Sequence, residues 1–417
     1  MTYNYKTSID KRIINVLLSL IFIVFLTYFI INKGFSPWRY SVIITIIGIY
    51  VLSKKSSLKP NVNLFLFCCL GALCVTTSYY LFNRFSAFPI EDNKFLSRLI
   101  NQYLWFIPFL LLPSIFHYSQ FKIQNMYFIF LFLSLLALIF NIIKITQLGF
   151  DRNAFAMFFN PVIDYDIGVS ALSIIALILS LHFKGKLSYW CLLISTSALL
   201  TIMLHGSRGA WLGLPLVILL TFITFHKENL YKCSLIFSMF LIFLSINALI
   251  PNSPIFSRFT NLQNDYQSIQ DNQFQNSTGV RLLLWKNSLT LFQSQPIMGV
   301  GVYGIEQSND VLFAEKKLPQ SFQHQHNIVF HEMAAHGILG LAGLLGTFAA
   351  ALLFFGKHWF SRNPNIKTLS CTGLAFLSYH FCAGMTEHYL FFVDNTYLFY
   401  LITASLISLI LAELKSS

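Results

Sequence analysis

Charged residues are scarce in this sequence: Asp, Glu, Lys and Arg make up only 11% of its 417 residues, whereas soluble globular proteins carry about a quarter. Negatively charged residues are scarcer than positively charged ones, with 16 Asp and Glu against 28 Lys and Arg. An ordinary soluble protein is therefore excluded. Hydrophobic residues supply 56% of the chain, and apolar stretches recur at roughly the 20-residue length that a helix needs to cross a bilayer core.

These stretches predict an all-α polytopic membrane protein with about twelve transmembrane helices. Spans 1 to 9 fall within residues 1–250 and spans 10 to 12 within residues 327–417, while residues 251–326 form one large loop. The first span follows three basic residues and has no small-residue cleavage site, so it is predicted to be an uncleaved signal anchor. The predicted spans are residues 13–31, 39–52, 62–82, 97–116, 125–146, 166–183, 187–205, 209–226, 232–250, 327–355, 367–385 and 394–412.

The lysines and arginines of the short loops predict the orientation of the chain. With the N-terminus inside, the cytoplasmic segments collect the whole net charge of +12, as the positive-inside rule requires. Residues 251–326 then lie on the outer, periplasmic side. Because this topology accounts for all of the basic excess, no nucleic-acid partner is predicted.

Three patterns that often carry chemistry are incomplete in this chain. His331, Glu332 and His336 miss the zinc-protease spacing, because histidines five apart lie roughly 140° apart around a helix. The "GVGVYG" stretch at 299–304 matches a dinucleotide fingerprint but has no strand–turn–helix unit around it. The cysteines are odd in number, lack a C-x-x-C pair and are interpreted as core residues: Cys68, Cys69, Cys74, Cys191, Cys233, Cys371 and Cys382.

An amphipathic helix is predicted near residues 281–292 of the large loop, on the membrane surface. Its stretch "STGVRLLLWKNSLTLF" offers Ser277 or Thr278 as an N-cap, and Pro296 follows its end. Arg281 lies at its start. Apolar residues recur at helical spacing along it: Leu282, Trp285, Leu289 and Phe292.

Arginines and histidines gather on the outer side of the predicted membrane. Arg208 lies in the short outer turn "HGSRGAWLG", where it either reaches to the interface as a snorkelling residue or faces a polar cavity. Arg281, Arg152 of "GFDRN" and the pair His324 and His326 lie at the same boundary. Because these groups share one side, the cavity interpretation is favoured.

This combination suits a reaction in which a lipid-linked pyrophosphate leaves and a hydroxyl attacks. Arginine guanidinium groups bind phosphate oxygens in a two-pronged fashion, and a histidine can remove a proton from a hydroxyl. The outer loops have no carboxylate cluster such as D-x-D. Activation by arginine, with no metal and no cofactor, is therefore predicted.

The motifs "SRGAWLG", "RLLLW" with its following phenylalanine, proline and glycines, and "HQHN" followed by "HGILG" resemble the O-antigen ligase and polymerase superfamily of Gram-negative bacteria. The resemblance implies a C-type glycosyltransferase-like helical fold in the bacterial inner membrane, with its active site on the periplasmic face. It implies a ligase that transfers O-antigen from undecaprenyl pyrophosphate to a lipid A–core acceptor among membrane lipids. A polymerase of the same superfamily and a lipid-linked glycan transporter are the alternatives.

The resemblance also assigns roles to individual residues. His326 is implied as the base, with Arg281 and Arg208 as its catalytic partners. His324, Asn327 and Arg152 are implied to bind substrate. The chain departs from the family pattern in having His331 where relatives carry an acidic residue, which leaves Glu332 displaced by one position. His331 and His336 are expected to pack along the tenth span, and the last outer turn offers further candidates for the acceptor cavity: Glu387, His388 and Asp394.

Overall fold

The computed structural model describes residues 2–31, 37–54, 58–59, 61–85, 104–149, 152–159, 162–250, 253–271 and 274–416. Within these ranges the chain is built from helices, and no β-strand occurs among them. An α-helix satisfies its backbone hydrogen bonds internally, which is what a chain of this hydrophobicity needs inside a bilayer. The predicted all-α, polytopic fold class is therefore confirmed.

The α-helices are numbered here in chain order. Short 3₁₀ segments at Leu104–Leu111 and Tyr389–Phe391 precede α4 and α16. The α-helices are α1 Thr2–Ile31, α2 Pro37–Ser53, α3 Val62–Phe85, α4 Leu112–Ser119, α5 Ile123–Leu148, α6 Arg152–Phe158, α7 Val162–His182, α8 Lys186–Met203, α9 Arg208–Trp211, α10 Leu214–Leu249, α11 Pro254–Gln270, α12 Ser277–Ser294, α13 Gly301–Ala314, α14 Ile328–His358, α15 Pro364–Gly384 and α16 Val393–Ser416.

Eight of the helical stretches in the described ranges are long and apolar enough to cross a membrane, and two shorter apolar helices accompany them. The longest helix, α10, is broken at Asn229, where φ is −141° and ψ is 42°. Its two arms coincide with the predicted eighth and ninth spans. The total of twelve spans, the C-type glycosyltransferase-like arrangement and the periplasmic position of residues 251–326 remain predictions.

Helix α7 forms the centre of the bundle, and every residue of its membrane-length window is buried. It packs against α5, α8 and α15. A helix that is buried on every side carries apolar residues all around its circumference, because none of its faces meets lipid or solvent. Its first turn carries two buried carboxyl groups, Asp164 and Asp166, beneath the short turn that leads to α9.

Glycines allow α14 to approach its neighbours closely, as their spacing of three predicts. Gly343 lies against Cys74 and Gly71 of α3, and Gly346 lies against Leu70. Gly337 interrupts the helix with a φ of +63°.

The loop that precedes α13 closes onto α14 at this interruption. The backbone N–H of Ile338 donates to the carbonyl oxygen of Pro296 at 2.8 Å, and that of Val300 donates to the carbonyl oxygen of Ala334 at 3.0 Å. These bonds satisfy backbone groups that the broken helix leaves free. They tie the large loop to the first turns of α14.

Helix α12 occupies the stretch where the sequence predicts an amphipathic helix. The N-cap is Asn276, one residue before the predicted candidates, and its side chain accepts from the Gly279 N–H at 2.7 Å. The buried face runs through Val280 and Leu284, whereas Leu282 and Leu289 are exposed. A helix thus occupies this stretch, with Leu282 and Leu289 left exposed. Its amphipathic character and its position on the membrane surface stay predictions.

We expect single cysteines introduced at Gln267 and Ser416 to lie on opposite sides of the membrane. In intact cells or sealed spheroplasts, a membrane-impermeant maleimide should label Gln267→Cys and should label Ser416→Cys only after the membrane is permeabilised. The native cysteines of the described chain lie within helices and are buried or half-buried, so the parent protein serves as the unlabelled control. Labelling of Ser416→Cys in sealed cells would contradict the topology.

Candidate active site

His326 has a strained backbone. It lies in the segment between α13 and α14 and has a φ of +47°, in the left-handed region that residues other than glycine rarely occupy. Such a conformation costs on the order of 1–3 kcal/mol and persists where the surroundings hold it, often at functional sites. Helix α14 begins two residues later.

Asn327 supplies part of that restraint. It is the N-cap of α14, and its Oδ1 accepts from the N–H groups of Val329 at 2.9 Å and Phe330 at 3.1 Å. Its Nδ2 donates to the carbonyl oxygen of Met385 at 2.9 Å. Both ends of the buried amide are therefore engaged, and the Nδ2 bond fastens the His326 segment to the turn between α15 and α16. Binding of substrate by Asn327 remains a prediction that no contact here tests.

Glu387, in the turn between α15 and α16, holds the His326 ring. His326 Nδ1 lies 2.9 Å from both carboxylate oxygens of Glu387. Burial alone would raise the pKa of the Glu387 carboxyl, but His326, His324 and Arg281 together lower it to about 2. An ionised carboxylate only accepts hydrogen bonds, so Nδ1 of His326 carries the proton and donates it. The lone pair of neutral His326 is then on Nε2, where a base needs it.

His324 lies beside this pair and is nearly buried. Its Nδ1 accepts from the His326 backbone N–H at 3.3 Å and is 3.6 Å from Glu387 Oε1. The two imidazole ring centres are 4.4 Å apart. Burial lowers the pKa of His324 to about 4, so this ring is neutral at physiological pH. Only one of the two adjacent histidines is therefore available to hold a positive charge.

Arg281, near the start of α12, reaches the same turn between α15 and α16. Its Nε donates to the Thr386 carbonyl oxygen at 3.0 Å, and its Nη1 donates to Ser277 Oγ at 2.7 Å. Burial lowers the pKa of the guanidinium group, while the nearby Glu387 carboxylate raises it. These bonds fix the plane of the guanidinium group and leave the Nη2 edge for a ligand.

Arg208 begins α9 and is bound from the large loop. Its Nη2 lies 3.3 Å from Asp265 Oδ2 of α11, and Thr278 Oγ1 donates to the same oxygen at 2.7 Å. The Arg208 side chain keeps 28% of its area exposed. Helices far apart in the chain thus orient Arg208 without burying it, which distinguishes this arrangement from an arginine that reaches freely to the interface.

Arg208 and Arg281 line one cavity of about 310 Å³. Its walls also include Trp285, Thr386 and the turn at Gly206 and Ser207. The two guanidinium groups therefore face a common volume within the usual size range of ligand pockets. Thr386, which forms part of the wall, directly precedes Glu387, so the arginine cavity and the histidine pair are neighbours.

Three predicted residues, Arg208, Arg281 and His326, are brought together in this way, and His324 joins them. The Arg152 side chain lies outside the described residues, although helix α6 begins at that position. Its predicted role in substrate binding remains a prediction.

The sequence interpretation missed two partners of the site. Asp265 carried no recognisable signal, because its pairing with Arg208 spans 57 residues of chain. For Glu387 the sequence predicts only a place in the acceptor cavity, whereas the structure shows it in direct contact with His326. The sequence interpretation also missed a fully buried pair, in which His205 Nδ1 lies 2.7 Å from Asp166 Oδ1 and holds the turn before Arg208. The two carboxylates Asp164 and Asp166 within an apolar span were the sequence signal that could have pointed to this pair.

The spacing of His324, His326 and Glu387 would fit either a metal ion or a shared proton, because one ligand atom from each lies within 4.8 Å of the others. The contacts favour the proton. Nδ1 of His326 is bonded to the carboxylate, and Nδ1 of His324 receives the His326 N–H. Chemically, the arrangement offers one oriented base beside two fixed positive charges.

Comparison with known proteins finds two similarities. Residues 190–345 match the family model for O-antigen ligase, a segment that includes Arg208, Arg281, His324 and His326. The chain is also similar to an uncharacterized protein of Haemophilus influenzae, with 26% identity over 396 residues, which cover 90% of this chain and 93% of that protein.

Proposed function

We propose that this chain is a membrane glycosyltransferase that acts as an O-antigen ligase. The proposal starts from the match of residues 190–345 to the O-antigen ligase family model. It transfers a glycan from undecaprenyl pyrophosphate to a sugar hydroxyl of lipid A–core on the periplasmic face of the inner membrane. The observation that carries this proposal is the His326–Glu387 pair beside the cavity that Arg208 and Arg281 line.

The acceptor hydroxyl is activated at His326. Nε2 accepts the hydroxyl proton as the oxygen attacks the anomeric carbon of the donor sugar, and Glu387 stabilises the imidazolium that forms. Because the carboxylate fixes Nδ1 as the donor, the ring need not change tautomer before it reacts. Neutral His324 adds no competing positive charge beside it.

The leaving pyrophosphate is stabilised in the arginine cavity. As the bond between the anomeric carbon and the pyrophosphate oxygen breaks, negative charge grows on that oxygen and its phosphate. Fixed guanidinium groups stabilise this developing charge most strongly because they need no reorientation during the reaction. Asp265 keeps the Arg208 side chain in place before the donor arrives.

The glycolipids of a deletion strain test this function. Loss of a ligase should leave polymerised glycan on undecaprenyl pyrophosphate and unmodified lipid A–core, and the gene supplied in trans should reverse both changes. Lipid A–core that carries single repeats would instead identify a polymerase of the same superfamily. A normal glycolipid pattern would contradict both assignments.

We expect transfer to continue when divalent metals are removed. The physical reason is that two guanidinium groups already supply positive charge for the pyrophosphate, and the histidine nitrogens nearest Glu387 are engaged. Purified protein in proteoliposomes should keep its turnover in excess EDTA, within about two-fold of the untreated rate. Loss of turnover that magnesium or manganese restores would contradict activation by arginine alone. A known metal-dependent glycosyltransferase assayed in parallel verifies the chelation.

A further inference from the structure

A second group of ionisable side chains lies deeper than the site, around a narrow cavity of about 50 Å³. That volume accommodates about three water molecules, at roughly 15 Å³ of probe-occupied volume for each. The cavity lies between the first turns of α14 and the start of α16, with α3 on its far side. Five of its lining residues carry ionisable side chains: His331, Glu332, His336, His388 and Tyr400.

Glu332 and His336 form a hydrogen-bonded pair in this cavity. They are four residues apart on α14 and share a helical face, with His336 Nδ1 2.9 Å from Glu332 Oε2. His336 Nε2 is buried and has no hydrogen-bond partner among the described residues. A carboxylate and an imidazole that share a hydrogen bond in a low-dielectric site can hold an added proton without leaving an isolated charge.

His388 connects this pair to the active site. Its Nε2 lies 4.0 Å from Glu332 Oε1, and its backbone N–H donates to Glu387 Oε1 at 3.0 Å. Its ring centre lies 6.1 Å from that of His324. Burial lowers the pKa of His388 well below its usual value, so a proton that reaches this ring passes onward and does not remain there.

The surroundings of Glu332 contain few other titratable groups. Within the described part of the chain, the cavity wall adds His331 from α14 and the Tyr400 phenol from α16. The sides formed by α3 and α13 contribute Gly71, Val75 and Val302. No lysine or arginine of the described chain lines the wall, so histidine, the Tyr400 phenol and water are the groups available to exchange protons with Glu332.

We propose that the Glu332–His336 pair is a proton-holding site that takes up, by way of His388 and cavity water, the proton removed from the acceptor at His326. This inference rests on the proposed function. In the transfer, the acceptor O–H bond breaks, its oxygen bonds to the anomeric carbon, and the pyrophosphate departs with the electrons of the broken C–O bond. The proton moves from His326 past Glu387 and His388 to the pair, and returns to periplasmic water after the products leave.

Turnover measured across pH and buffer concentration tests the relay. With both substrates saturating, Glu332→Gln and His336→Gln should lower kcat roughly ten-fold and leave each KM unchanged, because proton removal becomes slow while binding is intact. High concentrations of a small buffer such as imidazole should restore much of the rate, since the buffer then accepts the proton. His380→Gln is the matched control, because His380 is buried nearby on α15 but does not line the cavity.

A purely structural role predicts a different result. In that case both variants would lose activity with an unchanged pH profile and no rescue by buffer, which would overturn the relay. Should Glu332→Gln fold poorly, Glu332→Asp keeps the carboxyl and should retain buffer-independent turnover, whereas His336→Gln still reports on the pair.

A measurement without turnover separates this inference from the proposed function. Difference infrared spectra recorded between high and low pH should show a carboxyl band that Glu332→Gln removes and His336→Gln shifts. If this band is present but no glycan reaches lipid A–core, the pair holds a proton and the proposed function fails. If transfer occurs and the band is absent from the parent protein, the proton-holding site is wrong.

Discussion

Replacing His326 with alanine should lower kcat by about 10² to 10⁴, the usual contribution of a positioned general base. The acceptor hydroxyl would then have no group to take its proton, because neighbouring His324 is held by the His326 backbone and has a pKa of about 4. Binding of the lipid-linked donor should persist, since the arginine cavity is intact. Single-turnover transfer and donor binding, measured on the same purified protein, separate these two effects.

Glu387→Gln refines this prediction. The amide keeps the size of the side chain but removes the charge that stabilises the imidazolium, and its NH₂ can donate to Nδ1 and so place the ring proton on Nε2. We therefore expect a fall in kcat approaching that of His326→Ala, with donor binding retained. His226→Ala on α10 serves as the control, because His226 is half-buried and, among the described contacts, bonds only to its own helix. Normal turnover in both His326→Ala and Glu387→Gln would remove His326 from the reaction.

Replacing Arg281 with lysine should lower transfer roughly 10- to 100-fold, although the charge is preserved. Arg281 bonds Thr386 and Ser277 through Nε and Nη1 and still presents Nη2 to the cavity. A lysine ammonium is a single point of charge and cannot do both. Loss of one charge-assisted hydrogen bond, at about 1.5–3 kcal/mol, accounts for the size of the effect.

Arg208→Lys distinguishes the cavity from the membrane interface. A snorkelling lysine would reach the headgroups as well as arginine does and would keep near-normal activity. An Arg208 that binds phosphate oxygens in the cavity should instead lose about ten-fold or more, mainly in donor binding or leaving-group departure. The exposed Arg362→Lys, outside the cavity, is the matched control. Unchanged donor binding and kcat in both Arg208→Lys and Arg281→Lys would show that the cavity does not hold the pyrophosphate.

The candidate site residues could be singled out from sequence because the chemistry of a side chain is a local property. An arginine beside an apolar span or a histidine pair before a helix N-cap can be recognised wherever the chain later folds, which is how Arg208, Arg281 and His326 were predicted. Helix α12 was located for the same reason, since its cap and apolar spacing lie within one stretch. The exact N-cap and the buried face of α12 could not be predicted, because they depend on which helices pack against α12.

The sequence alone determined that this is an all-helical membrane protein and which side chains could do phosphate and proton chemistry, since both follow from composition and short-range spacing. Only the tertiary structure decided the pairings. Glu387 reaches His326 across 61 residues and Asp265 reaches Arg208 across 57. Those contacts depend on how whole helices pack, which no local pattern encodes. The Glu332–His336 pair was visible as an i, i+4 spacing, but its enclosure by α3 and α16 follows from packing around the kink at Gly337.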